Sequence, residues 1–402
     1  MLSVRERGVL TTLAGIRVLD FGRFVSGPYA ATMLAEYGAD VIRIERPGGG
    51  EDRGLAPVTP MGEGALFMHT GRNKRSLTLD LGSTEGRELA HRLVETADVV
   101  IVNMLAPALA TAGLDYPTLA ALREDLVYAN VTAFGRSGSW SDRPGFDSVG
   151  QAMSGAVHLT GPPDQPYRAQ VNWVDYATAT HVAFAIMLAL YERNRSGRGQ
   201  EIAASLLATA VSFESPALID QQLLQSNRAG LGNMGYASGP TDLYRARDGW
   251  LVCQVIGNAM FRRWAKVIGE PDLIDDPRFV TDDLRGEHGS VLSALMNGWC
   301  GPLTRSEAID LLANAGVPAG PVLSLQEVLD HSQVDALDLL VPVKVPGAPV
   351  PPRIALVPLE MSVSAGAIRR PPPVLGQHTE EVLVELGLTG DTIAGLSCRG
   401  IV

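Results

Sequence analysis

One aspartate, Asp175, stands where a carboxylate could do chemistry. It follows residues 170–174, which have the pattern of a strand, and precedes the apolar residues 176–195, which predict a long helix. Aspartate is among the preferred helix N-caps. The positive end of the helix dipole would also lower the pKa of the carboxylate and keep it ionised for attack on an electrophile. The residues alone therefore leave Asp175 as a helix cap, as a nucleophile, or as both.

Two basic clusters are further candidates for ligand binding. Arg43 and Arg46 flank the end of a predicted strand, and Arg72, Lys74 and Arg75 fall within four residues of each other. In an acidic chain, such clusters could bind a phosphorylated ligand. The alternative is that they are solvated loops.

The first predicted strand-to-helix turn, residues 22–28, is also a candidate. It contains glycines but not the GxGxxG pattern of nicotinamide dinucleotide sites. Open α/β sheets bind ligands at such turns, and the N-terminus of the following helix would favour an anion. A plain tight turn is the alternative.

Histidine and cysteine spacing indicates no metal centre. The seven histidines have no metal-ligand spacing, and no GxSxG elbow supports a Ser-His-Asp triad. Cys253, Cys300 and Cys398 are far apart and odd in number. We therefore expect neither a structural zinc nor disulfides, but reduced thiols.

Charge and hydropathy limit the partners. A net charge of −11 over 402 residues argues against nucleic acid as a main partner. No stretch reaches the roughly 18 uninterrupted apolar residues of a membrane span, and the first residues lack the pattern of a signal peptide. We expect no membrane association and a cytoplasmic location.

Alternating strands and helices must position these residues. Their spacing is that of βαβ units, which predicts an α/β fold with an open, doubly wound parallel sheet. The predicted strands are residues 16–21, 39–44, 99–102 and 126–131, and the predicted helices are residues 28–37, 86–96 and 116–123.

Later changes in composition predict the domain organisation. Helical sequence covers residues 203–225, and a glycine-rich stretch follows at residues 230–240. We predict a large domain over residues 1–225, a smaller inserted α+β domain over residues 226–330, and a return to the large domain over residues 331–402.

A series of short motifs runs in order along nearly the whole chain. They are GADVIRIERP at 38–47, NKRSL at 73–77, ADV at 97–99 with Asn103, PGFD at 144–147, QAMSG at 151–155, GRGQ at 197–200, DGW at 248–250 and GVPAGPV at 316–322. With these motifs the chain resembles the family III CoA-transferases (CaiB/BaiF type). This group contains formyl-CoA:oxalate CoA-transferase, carnitine CoA-transferase and the α-methylacyl-CoA racemases.

The resemblance implies a fold, an assembly and a site. The implied fold is a Rossmann-like large domain with a smaller inserted domain, in an interlocked homodimer. No cofactor is tightly bound, because coenzyme A arrives as part of the substrate. The family's catalytic aspartate falls at Asp175. The implied CoA-binding residues are Val25, Ser26, Arg46, Arg75, Leu79, Asn103, Met104 and Asp147.

The implied activity is transfer of CoA from an acyl-CoA to a free carboxylic acid, with a dicarboxylic acid as one option. Asp175 would form an acyl anhydride and then a thioester with CoA, while residues 230–239 or 257–258 would supply a closing loop or backbone donors. The racemases carry a histidine where this chain has Phe146, which cannot exchange an α-proton. Two alternatives stay open: a racemase or intramolecular CoA-transfer isomerase on the same fold, and a catalytically silent CoA-binding subunit.

Overall fold

A computed structural model describes residues 11–60 and 62–402 of the protein. Its main element is a parallel sheet of six strands. They are β1 (Arg17–Asp20), β2 (Asp40–Glu45), β3 (Lys74–Thr78), β4 (Val99–Val102), β5 (Val127–Thr132) and β6 (Gln200–Ser205). The order β3-β2-β1-β4-β5-β6 and the parallel pairing confirm the predicted doubly wound sheet.

Helices cover both faces of this sheet, which explains why β4 is apolar and buried along its whole length. The helices are α1 (Ser26–Glu36), α2 (Ala65–Gly71), α3 (Thr84–Glu95), α4 (Ala106–Ala112), α5 (Tyr116–Leu122), α6 (Asp147–Met153), α7 (Ala156–Leu159), α8 (Trp173–Ser196), α9 (Leu206–Phe213), α10 (Ser215–Leu224), α11 (Asn258–Val267), α12 (Asp282–Glu287), α13 (Gly289–Cys300), α14 (Arg305–Asn314), α15 (Leu325–Leu329), α16 (Ser332–Ala336), α17 (Thr379–Glu385) and α18 (Gly390–Cys398). On one face Val100 packs with Leu93 of α3 and Leu383 of α17. On the other, Ile101 packs in the same core as α1 and α8.

Internal contacts divide the chain into two compact units. The first runs to Ser154 and includes Ala169–Ser215 and Asp335–Val402, and the second consists of Gly155–Arg168 and Pro216–Val334. The domain ranges inferred from composition stay a prediction.

Each unit has its own further strands. The second unit contains an antiparallel sheet of β7 (Thr241–Ala246), β8 (Gly249–Gln254) and β9 (Ala319–Pro321). In the first unit, β10 (Leu340–Pro342) pairs with β11 (Arg353–Ala355) in a short antiparallel ladder.

Two elements differ from the sequence-based expectation. Residues 170–174 are not a strand, because α8 already begins at Trp173. Residues 203–205, predicted to be helical, instead end β6 at the edge of the sheet, where β5 supplies hydrogen-bonding partners along the whole strand. Pairing with a neighbouring strand outweighs local helix propensity here.

Helix α8 is long and apolar enough, by length and composition, to cross a membrane. The sequence-based search missed it because it required an uninterrupted apolar run. Half of its most apolar window is buried inside the protein, where Val182 and Ile186 pack in the core shared with α1. A core helix passes the same test, so the finding is weak evidence for a membrane span.

Candidate active site

A cleft of about 380 Å³ lies at the carboxyl end of the parallel sheet. The segments that follow β1 and β4 form part of its wall, and these two strands are adjacent although they belong to different halves of the sheet. That is the switch point where open α/β sheets bind ligands. The lining residues that matter for chemistry and binding are Arg23, Phe24, Ser26, Asn103, Met104, Arg143, Phe146 and Asp175.

The turn after β1 is held in place by side chains from elsewhere in the sheet. Phe24 has a left-handed backbone, with φ of 61°, and its amide donates to Oδ2 of Asp52 at 3.2 Å. The backbone of Arg23 donates to Oδ1 of Asn103 at 2.8 Å and accepts from Nδ2 of the same residue at 2.7 Å. Asn103 thereby ties the end of β4 to the turn, and the cleft has a fixed edge.

A buried ion-pair network supports the same turn. Asp20 accepts from the Gly22 amide at 2.9 Å and from Nζ of Lys74 at 2.7 Å. Arg43 donates to the Gly22 carbonyl at 3.2 Å and to Asp52 at 2.6 Å. Burial lowers the pKa of Lys74 to about 8, although the charge of Asp20 opposes that shift. These charges are paired with one another, as buried charges must be.

The solvated-loop alternative is wrong for most of the basic residues. Arg43, Arg72, Lys74 and Arg75 are all buried, and Arg72 pairs with Glu36 at 2.6 Å. Only Arg46 keeps an exposed guanidinium: it donates to the Gly49 carbonyl and to Glu51, at 2.7 and 3.1 Å.

Some of the predicted CoA contacts lie outside the residues that line the cleft. Arg75 pairs with Asp40, Glu381 and Glu385 at 2.6 to 2.9 Å. Burial disfavours its charge, but these carboxylates outweigh burial and hold the pKa of Arg75 above its ordinary value. Leu79 is buried in the core.

Of the remaining predicted CoA contacts, some lie outside the cleft lining and some belong to it. Val25 is buried at the start of α1 and, like Arg46, does not line the cleft. Ser26, Asn103 and Met104 line it together with Asp175. As CoA contacts, all of these residues stay predictions.

Asp175 lies in the first turn of α8 and is only 7% exposed. Ser26 lines the cleft together with it, and no ion pair within residues 11–60 and 62–402 includes it. Burial raises the pKa of Asp175 to about 7, the neighbouring charge of Asp147 adds to this, and the Ser26 hydroxyl opposes it. The sequence-based expectation of a lowered pKa is therefore wrong.

Asp147 contributes to this reversal after burial, because it takes the place at the helix start that Asp175 was expected to fill. It is 3% exposed, and its Oδ2 accepts from the amides of Val174 and Asp175 at 2.8 and 3.1 Å. The side-chain amide of Gln151 donates to its other oxygen. Asp147, not Asp175, is thus the residue that caps α8. The sequence argument missed this because the cap comes from a different helix, 27 residues earlier.

Two aromatic rings form an apolar wall of the cleft. Phe24 and Phe146 meet edge to face, with centroids 5.3 Å apart, and both line the cleft with Asp175. Phe146 is 58% exposed. The sequence analysis did not identify Phe24, because no local pattern predicts a left-handed backbone at a phenylalanine.

Neither metal ligands nor reactive thiols come together in the part of the chain that the structure describes. No three His, Cys, Asp or Glu side chains there are placed to hold a metal ion. Cys253 and Cys300 are buried, which raises the pKa of their thiols to about 12 and about 11. Cys398 is exposed.

The glycine segments proposed as closing loops have partners inside the second unit. The Gly232 amide donates to the Gly161 carbonyl at 2.7 Å. The Gly257 amide donates to both carboxylate oxygens of Asp282, at 3.0 and 2.9 Å. These two amides are therefore already engaged as donors.

Comparison with known proteins identifies the family. Residues 13–379 match the family described as CoA-transferase family III. The succinate–glutarate CoA-transferase of Agrobacterium fabrum is 36% identical over 386 residues, covering 93% of this chain and 95% of the relative. The succinyl-CoA–D-citramalate CoA-transferase of Chloroflexus aurantiacus is 33% identical over 402 residues, covering 97% and 98%.

A solved structure agrees with the sequence match. The crystal structure of a CAIB/BAIF family protein from Brucella suis superposes with a TM-score of 0.83 at 30% identity, over 93% of this chain and 99% of that one. The likeness in sequence and fold runs along almost the entire chain, which therefore belongs to CoA-transferase family III and is a CoA-transferase enzyme.

Proposed function

We propose that this protein transfers CoA from an acyl-CoA to a free dicarboxylic acid, with Asp175 as the nucleophile. The observation that carries the proposal is a buried carboxylate with no cationic partner, at a cleft built where α/β sheets bind ligands. The two relatives above are named for succinyl-CoA, succinate, glutarate and D-citramalate, which supports a dicarboxylic acceptor.

The reaction is a sequence of acyl exchanges at the Asp175 carboxylate. A carboxylate oxygen attacks the thioester carbonyl, the C–S bond breaks, and CoA thiolate leaves a mixed anhydride. The thiolate then attacks the aspartyl carbonyl, which expels the donor acid and leaves an aspartyl-CoA thioester. The acceptor carboxylate attacks this thioester to form a second anhydride. Returning thiolate attacks the acceptor carbonyl of that anhydride, which yields the new acyl-CoA and restores Asp175.

The raised pKa of Asp175 suits its attack on the thioester. A more basic carboxylate is a stronger nucleophile toward the thioester carbonyl. Because the ionised form attacks, the rate of transfer is expected to rise as the pH passes about 7.

The aromatic wall addresses the competing reaction with water. An anhydride hydrolyses readily, and hydrolysis wastes the energy of the thioester. Phe24 and Phe146 cover part of the cleft beside Asp175 with apolar surface. We infer that they limit access of water while the anhydride exists.

The cleft offers little support for a racemase. Proton exchange at the α-carbon needs a donor and an acceptor on opposite faces of the substrate. Among the described residues that line the cleft, Asp175 is the only carboxylate, and none is a histidine or lysine.

We further propose a cytoplasmic homodimer, interlocked as in the family that the sequence resembles. Helix α8 exposes a stripe of large apolar side chains at helical spacing: Phe184, Leu188 and Tyr191 are 63%, 54% and 66% exposed. Such a stripe favours contact with another protein surface.

The test is an exchange assay with an acyl-CoA and an isotopically labelled dicarboxylic acid, followed by mass spectrometry. We expect labelled acyl-CoA from the wild type, none from Asp175→Ala, and retained CoA binding in that variant. Asp391→Ala is a matched control, since it removes an aspartate from the first turn of α18, outside the cleft lining.

Three other outcomes would contradict the proposal. Transfer by Asp175→Ala would remove the nucleophile, uptake of deuterium at the α-carbon without transfer would indicate a racemase, and CoA binding without either reaction would indicate a silent subunit.

A further inference from the structure

Asp147 caps α8 at the residue that carries the nucleophile. Its Oδ2 bonds the amide of Asp175 itself, at 3.1 Å, as well as that of Val174 at 2.8 Å. Its side chain is buried and is held from the other side by Gln151. The backbone that carries the nucleophile is therefore fixed directly by a second carboxylate.

We propose that Asp147 is the positioning residue for the nucleophile: it fixes the backbone of Asp175 and keeps a negative charge beside it. The inference rests on the proposed function, because it assigns Asp147 a role in making Asp175 reactive.

The hydrogen bonds explain how the two carboxylates divide their roles. The first amides of a helix are the groups that would stabilise a carboxylate in its first turn. Asp147 takes two of them and a third bond from Gln151, whereas the side chain of Asp175 accepts none of these three bonds. Asp175 is therefore left as the carboxylate with the raised pKa.

The surroundings do not cancel this effect. The charge of Asp147 and burial both raise the pKa of Asp175, and only the Ser26 hydroxyl lowers it. The titratable and charged groups that line the cleft or pack near the start of α8 include Arg23, Tyr29, His69, Arg72, Arg143, Asp147 and Tyr176. Removing the charge of Asp147 should therefore make Asp175 easier to ionise and less basic.

The experiment compares the pH profiles of transfer in the wild type and in Asp147→Asn, which keeps an acceptor oxygen for the helix amides. We expect the acid limb of kcat/KM to move to lower pH by about one pH unit. We also expect kcat on the alkaline plateau to fall by about tenfold, because the ionised Asp175 is then a weaker nucleophile. Asp147→Glu restores the charge and should return the acid limb toward its wild-type position, with a lower kcat because the backbone is misplaced.

The matched control is Asp115→Asn, which removes an aspartate cap from α5, outside the cleft lining. Asp115→Asn should lower the melting temperature as Asp147→Asn does, but it should leave the pH profile of transfer unchanged. Should Asp147→Asn fail to fold, the Asp147→Glu variant decides: an unchanged kcat there would overturn the proposal.

Failure of this inference and failure of the proposed function look different. An unshifted acid limb in a folded Asp147→Asn, with Asp175→Ala inactive, overturns only the role of Asp147. Transfer by Asp175→Ala overturns the proposed function itself.

Discussion

Two buried aspartates of the first unit, Asp20 and Asp175, carry the same carboxylate in opposite surroundings. Asp20 is fully buried and accepts from the ammonium of Lys74 and from a backbone amide. Asp175 has a second carboxylate, Asp147, as its neighbour and no cationic partner among the described residues. A buried carboxylate that is paired with a cation stabilises the fold, whereas one without a cationic partner remains reactive toward a substrate.

The arginines show the same contrast. Arg75 is surrounded by carboxylates. Arg143 lines the cleft and lies 4.1 Å from the ring centroid of Trp140, and it makes no ion pair in the part of the chain that the structure describes. Its guanidinium can therefore bind a substrate anion, while that of Arg75 is already occupied.

The largest effect should come from breaking the paired aspartate. Lys74→Met removes the ammonium at 2.7 Å and leaves buried Asp20 with only the more distant guanidinium of Arg43, at 3.7 Å. We expect a loss of about 3 kcal/mol in the free energy of unfolding, the lower end of the cost of breaking a buried ion pair. Urea denaturation measures it. Arg17→Gln breaks partly exposed pairs with Asp40 and Glu385 and should cost less than about 1 kcal/mol; equal losses in the two variants would refute the distinction.

Replacing the unpaired aspartate, Asp175, should instead raise the free energy of unfolding. Since the folded-state pKa of Asp175 is about 7, above its ordinary value of 3.8, ionising it costs stability as the pH rises from about 4 to about 7. Asp175→Asn removes that cost. We expect the variant to exceed the wild type by roughly 2–4 kcal/mol at about pH 8, with no advantage at about pH 4.

Chemical denaturation at the two pH values measures this difference. Asp391→Asn, in the first turn of α18 and outside the cleft lining, serves as the control. An advantage of Asp175→Asn that stayed constant with pH would contradict the raised pKa.

The smallest effects should come from the arginines. Arg143→Gln is expected to raise the KM for acyl-CoA or for the acid several-fold, equivalent to about 1 kcal/mol of lost binding, without loss of stability. Arg75→Gln should lower the free energy of unfolding and leave both KM values unchanged. Steady-state kinetics with each substrate varied in turn checks this pair, and a reversal of the two phenotypes would place the CoA contact at Arg75 instead.

Local patterns in the sequence predicted local features well. Strand β4 lies at the predicted residues 99–102 because its apolar run fits a sheet covered on both faces. The end of α8 at Ser196 agrees with the helix predicted over residues 176–195, and Gly197 follows it in the left-handed conformation with φ of 72°. The start of α8 was not predicted, because its cap, Asp147, comes from another helix.

The candidate site shows the same difference between features set by the local sequence and features set by tertiary contacts. Motifs selected Asp175, Ser26, Asn103 and Met104, which the fold brings to one cleft. The raised pKa of Asp175 depends on its burial and on the neighbouring charge of Asp147, and the burial of Lys74 depends on its pairing with Asp20. Both are tertiary facts that no spacing in the sequence encodes.

The most direct test of the central claim is to look for the covalent intermediate on Asp175. The enzyme is incubated with acyl-CoA without an acceptor acid, quenched at low pH, digested, and analysed by peptide mass spectrometry. We predict CoA bound as a thioester to the peptide that contains Asp175, lost on addition of the acceptor acid. A CoA adduct on a different residue, or no adduct in an enzyme that transfers CoA under the same conditions, would contradict the account.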